Sequence, residues 1–132
     1  MNIKITSDST CDLSREQRKR YQIELVPLAV AMDGRDCHDG VDIEPEDIYA
    51  HVAQGGSLPV TAAVNAAGYE AVFARYAGDY DAVIHINISA EFSSCYQNAV
   101  LAAQQFDNVY VVDSRNLSTG HGLMVLRAAE LA

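Results

Sequence analysis

Ala82-Val83-Ile84-His85-Ile86-Asn87-Ile88 is followed by a polar loop at 89–94, a helical stretch over 94–105, and then Val109-Tyr110-Val111-Val112. Both outer runs are short, mostly apolar and bounded by polar residues, the pattern of strands buried on both faces of a parallel sheet. Between them Tyr96, Ala99, Val100, Ala103 and Phe106 recur at helical spacing and predict one core-facing stripe. Strand, helix and strand in this order form the repeating unit of α/β proteins.

The same alternation extends toward the N-terminus. Ile3-Lys4-Ile5-Thr6 predicts a first strand, followed at once by a polar turn at 7–12. Ser14-Arg15-Glu16-Gln17 has the Ser-x-x-Gln spacing of a capping box, so a helix starts there. Residues 25–32 predict a second strand that tolerates Pro27 near its start. Asp33-Gly34 is a turn signal, and the polar stretch as far as Val41 offers the second arm of a hairpin. Glu44-Pro45-Glu46-Asp47 opens another helix, with Pro at its first position and acids where the helix dipole favours them. Gly55-Gly56 ends it, residues 57–64 read as a loop, and Asn65 caps a helix to about Tyr76. A last helix begins near Thr119. The expectation is one α/β domain over 1–132, three-layered, with a mostly parallel sheet flanked by helices.

Composition narrows the function classes. The chain has 132 residues, about half of them apolar, which is ordinary for a globular domain. Nine basic residues face eighteen acidic ones, for a net charge of −9. That field repels a phosphate backbone, so nucleic acid is not an expected partner. The one basic cluster, Arg15, Arg18, Lys19 and Arg20, is too short for a binding stripe and reads as a solvated helix face. No apolar run approaches the roughly 20 residues of a membrane span, and Met1 to Ile5 lack the apolar core of a signal peptide. Cys11, Cys37 and Cys95 are odd in number and widely spaced, which fits free thiols in a cytoplasmic protein.

In open α/β sheets ligands bind beyond the carboxyl ends of the strands, and the polar loops there are rich in hydroxyls. Ser93 and Ser94, at a helix start, fit an anion site built from hydroxyls and free N–H groups. The same residues are equally good helix caps. Cys95 in that position has two readings, a buried small residue or an activated nucleophile paired with His85 or His121. A small hydrolase or transferase using Cys95 or Ser94 is therefore the alternative function. Asp8 and Asp113 are loop carboxylates of the kind that suits magnesium. No glycine-rich phosphate loop with its lysine accompanies them, and His38 and His51 read as surface residues. No metal and no cofactor are expected.

Several motifs, in order along the chain, resemble the first half of a DegV-family fatty-acid-binding protein. Ser7-Asp8-Ser9-Thr10-Cys11-Asp12-Leu13 matches the family's opening turn, and Val26-Pro27-Leu28 its next strand. Ile43-Glu44-Pro45-Glu46-Asp47-Ile48-Tyr49 looks like its next helix start. Ser93-Ser94-Cys95-Tyr96-Gln97-Asn98-Ala99 is similar to its Ser-Gly-Thr-Tyr-Gln-Ser-Ala motif. Val112-Asp113-Ser114, followed by Ser118-Thr119-Gly120-His121-Gly122, is similar to its later segment. The resemblance implies a non-catalytic carrier that presents a long-chain fatty acid, such as palmitate or oleate, to the catalytic subunit of a fatty acid kinase for acyl phosphate formation in phospholipid synthesis. It implies carboxylate ligands at Thr61 and Ser93, with the Ser94 backbone N–H assisting. It also implies a second, lipid-covering domain absent from these 132 residues. The apolar face so left open tends to find a partner, which predicts a homodimer of the lone domain. Two departures stand out. The family's Thr-Ser-Gln-Pro-Ser loop is Thr61-Ala62-Ala63-Val64-Asn65 here, and Ser94 replaces a glycine.

Overall fold

The computed structural model describes all 132 residues. Four parallel strands form the main sheet: β1 (Ile3–Asp8), β2 (Glu24–Val26), β6 (Ala82–Asn87) and β7 (Val109–Asp113), in the order β2-β1-β6-β7. Three shorter strands, β3 (Ala29–Met32), β4 (Arg35–His38) and β5 (Val60–Ala62), form an antiparallel sheet in the order β4-β3-β5. The helices are α1 (Arg15–Arg20), α2 (Pro45–Ala53), α3 (Ala66–Ala77), α4 (Cys95–Ala103) and α5 (Ser118–Leu131). A 3-10 turn, Ser9–Cys11, follows β1 directly.

Strand alternation divides the core in two. Val83 and Val109 face α3 and α4 and pack with Tyr69, Phe73, Cys95, Ala99 and Ala102. Ile5 and Ile86 point the other way and pack with Val125 of α5. The sheet therefore lies between two helical layers, as expected of a three-layer α/β domain. The chain leaves β1 for β2 on one side and later returns to β6 on the other. This makes the β1/β6 junction the point where the strand order reverses, and the carboxyl ends of these strands mark the place for a ligand.

Local signals explain most boundaries. Ser14 Oγ accepts from Gln17 N at 3.2 Å and Gln17 Oε1 accepts from Ser14 N at 2.9 Å, closing the capping box of α1. Asn65 Oδ1 accepts from Gly68 N at 2.9 Å and caps α3. Asp33 and Gly34 take φ of 50° and 72°, the mirror-image turn that a two-residue hairpin needs between β3 and β4.

Five expectations are corrected. Residues 25–32 are two strands in two sheets, because Pro27 has no N–H to continue the ladder and Leu28 N donates instead to Ser9 Oγ at 3.1 Å. The stretch 57–64 contains β5, paired antiparallel with β3 through Val30 and Thr61. The β7 strand is an edge strand, so Tyr110 and Val112 remain exposed instead of being buried on both faces. The buried stripe of α4 is Cys95, Ala99 and Ala102, with Tyr96 and Val100 only half-buried at its margin. His51 is also less of a surface residue than its acidic neighbours suggest, since it is half-buried and bonded to Ser57 O at 3.0 Å.

Candidate functional site

The carboxyl ends of β1 and β6 carry a buried polar layer. Thr6, Ser7, Asp8, His85, Asn87 and His121 are all fully buried. Asp8 is its centre. Its Oδ1 accepts from Tyr69 O–H at 2.7 Å, and its Oδ2 accepts from Asn87 Nδ2 and Ile88 N, both at 2.8 Å. His85 Nε2 lies 3.4 Å from the same carboxylate without making a hydrogen bond, while its Nδ1 pairs with Thr6 Oγ1 at 2.8 Å. Burial alone would raise the Asp8 pKa, but His85, Tyr69 and Ile88 together outweigh it and hold the carboxyl below its ordinary value. Tyr69 is pushed strongly upward, first by burial and then by the Asp8 charge, so its phenol stays a donor.

On the opposite face of the sheet, the Ile86 carbonyl accepts from Ser7 Oγ at 2.9 Å and from His121 Nε2 at 3.0 Å. Burial lowers the His121 pKa against the opposing pull of the Ile86 carbonyl and of Asp8. Most of these groups satisfy one another; His85 Nε2 and Asn87 Oδ1 are buried without a hydrogen-bond partner. The Asp8 oxygens are committed to protein donors, and Asp113 Oδ1 accepts from Ala90 N and Arg115 N. Both carboxylates organise loops.

The hydroxyls expected from sequence lie on two separate segments, β5 and the start of α4. Thr61 is exposed on β5 and lines a cleft of about 450 Å³. Leu28, Val30, Ile48, Leu58, Pro59 and Leu117 form its apolar wall, and the Asp12 and Asp39 carboxylates also border it. A larger cleft of about 520 Å³ beside α1 has mostly polar walls, including Glu24 and Glu44, and suits an acyl chain less well. Ser93 and Ser94 do not line the Thr61 cleft. Ser93 Oγ accepts from Cys95 N at 3.2 Å and so caps the start of α4. Ser94 is exposed and its side chain makes no capping bond. Its φ of −74° carries a side chain without strain, so serine in place of glycine costs the backbone nothing here. One hydrogen bond joins the two parts of the site: Asn98 Nδ2, one turn into α4, donates to Val64 O at 2.7 Å, three residues beyond Thr61.

The nucleophile alternative finds no such arrangement. Cys95 is fully buried in the α3/α4 core. His85 is engaged by Thr6 and lies beside Asp8, and His121 bonds Ser7, Thr10 and the Ile86 carbonyl; neither bonds Cys95.

The family model for "Uncharacterised protein, DegV family" matches residues 2–132. The chain belongs to the DegV family. A DegV domain-containing protein of Caldanaerobacter subterraneus is 36% identical over 132 residues, covering 98% of this chain and 47% of the relative. A Thermus thermophilus DegV-family structure, described as fatty acid binding, superposes with a TM-score of 0.92 at 37% identity, covering 99% of this chain and 47% of its own. A stearic acid-binding protein from Eubacterium ventriosum matches with a TM-score of 0.87 at 30% identity, covering 98% of this chain and 47% of its own. The chain thus spans about half the length of these DegV relatives. The α/β fold expected from its motifs is the fold they share. None of the helices is long and apolar enough to cross a membrane.

The sequence puts Thr61 and Ser93 in loops; Ser93 does precede α4, whereas Thr61 belongs to strand β5. The Asp8–Tyr69–Asn87 network joins residues 18 to 79 positions apart and has no local signature in the sequence.

Proposed function

We propose that this DegV-family chain is the headgroup-holding domain of a non-catalytic carrier for long-chain fatty acids. The hydroxyls of Thr61 and Ser93 and the backbone N–H of Ser94 hold the carboxylate, and the acyl chain runs over the apolar wall at Leu28, Val30 and Leu58. Hydroxyls and helix N-terminal N–H groups bind an anion without a fixed positive charge. The observation that carries this reading is the apolar cleft with Thr61 on its wall, in a fold whose relatives at 30–37% identity are described as fatty-acid-binding. Residues 1–132 act as one domain, and a second domain of the carrier covers the lipid. The bound acid, palmitate, oleate or stearate, is presented in the cytoplasm to the catalytic subunit of a separate kinase, which forms the acyl phosphate.

The test is calorimetric titration with oleate, with mass spectrometry of lipid that copurifies. Thr61→Val and Ser93→Ala each remove a bond to a charged group, worth about 1.5–3 kcal/mol, so each is expected to weaken binding at least tenfold. A chain that neither copurifies with lipid nor binds added palmitate or oleate would overturn the reading.

A further inference from the structure

The two parts of the proposed headgroup site sit on separately anchored segments. Thr61 belongs to β5, a three-residue strand whose ladder runs only to β3 of the small sheet. Ser93 and Ser94 sit at the start of α4, in the main domain. Their loop is fixed from below: Ala90 N donates to Asp113 Oδ1, Ser89 N to Asn116 O, and Ile88 N to buried Asp8. Nothing in that set constrains Thr61. The link across the gap is Asn98, whose backbone N donates to Ser94 O at 3.0 Å and whose side chain donates to Val64 O at 2.7 Å. Val64 is itself buried in the core, and Asn65 beyond it caps α3. This amide adds a directional tie, beside the core packing of Val64 with Cys95 and Ala99, between the Thr61 strand and the helix that carries Ser93.

Resting on the fatty-acid reading above, we infer that Asn98 is a positioning residue of the headgroup site, which selects a free carboxylate by holding Thr61 in register with the α4 N-terminus. Asn98 touches no ligand in this role. A donor is required because its partner is a carbonyl, so an aspartate of the same shape cannot replace it. The acyl wall at Leu28, Val30 and Leu58 makes no bond to Asn98 and meets the tie only through Thr61, which pairs with Val30 and follows Leu58 in the chain.

The experiment compares oleate with methyl oleate on the wild-type chain, Asn98→Ala and Asn98→Asp, and follows amide hydrogen exchange over residues 60–64. Losing this part-buried hydrogen bond is expected to weaken oleate binding about 5- to 10-fold. Methyl oleate, which lacks the charged headgroup, should change less than about twofold. Exchange at 60–64 should quicken in both variants, with Asn98→Asp at least as affected as Asn98→Ala. Equal losses for acid and ester, or unchanged exchange at 60–64, would overturn the positioning role. Failure of wild-type to bind oleate would instead overturn the fatty-acid reading, and the exchange data would still report whether the tie orders the Thr61 strand.

Discussion

Asp8 is the residue on which the interior depends most. Its carboxylate is fully buried and serves three donors, so removing its charge leaves Tyr69, Asn87 and Ile88 N without an acceptor. Asp8→Asn turns one acceptor oxygen into a donor facing donors, and is expected to destabilise the fold by at least about 3 kcal/mol in urea titration. His121 supplies a separate, pH-dependent contribution. Its folded pKa lies below the ordinary value, so the unfolded chain takes up the proton first as pH falls. Stability is therefore fully present above about 6.5 and declines as pH drops from there toward the folded value. His121→Gln should flatten that decline, seen as a pH-independent urea midpoint between about 7 and 5.5 relative to wild-type. An unchanged slope would mean that the proton goes elsewhere. None of this network was readable from sequence, because Asp8 meets Tyr69, Asn87 and Ile88 across separations of 61, 79 and 80 residues. Sequence shows the residues; only the fold shows that they meet.

Among the elements, those with local causes were legible. The capping box at Ser14, the cap at Asn65, the Asp33-Gly34 turn and the Pro45 helix start each depend on residues within one turn of chain. Features set by distant neighbours were not. Nothing local in Leu25 to Met32 says that its two ends join different sheets, and nothing in Val109 to Val112 says that it is an edge. The docking of α5 is of the second kind, and it depends on Gly122. A Cβ built there would overlap the Cys11 backbone carbonyl and crowd Leu13 Cδ2 at 3.1 Å. That carbonyl belongs to the 3-10 turn against which α5 packs, so it cannot swing aside as a side chain could. Gly122→Ala must push the helix off the turn and disturb the Val125 contact with Ile5 and Ile86. The expected loss is about 2–3 kcal/mol in spite of alanine's better helix propensity. Gly120→Ala meets only the Asn116 side chain, which can rotate away at the cost of its bond to Ser114 O, and should cost less than Gly122→Ala, so thermal melts of the pair separate a backbone clash from a side-chain one.

At the scale of the molecule, the proposed cargo and the protein carry the same sign of charge. The chain has a net charge of −9, and Asp12 and Asp39 border the cleft that Thr61 lines. A carboxylate entering that cleft meets repulsion that hydroxyls and N–H groups must outweigh. Two unit charges about 10 Å apart in water repel by roughly 0.4 kcal/mol, and about 0.1 M salt screens them over that same distance. Oleate affinity is therefore expected to rise by about two- to fivefold as sodium chloride goes from about 20 mM to about 300 mM. Salt also drives apolar chains out of water, which would tighten any lipid. Methyl oleate controls for this, since it shares the acyl chain but has no charge to screen; only the excess gain of the acid over the ester counts. Asp39→Asn should raise oleate affinity at low salt and shrink that excess. An affinity for oleate that falls with salt would place a cation at the headgroup and exclude the hydroxyl site built from Thr61 and Ser93.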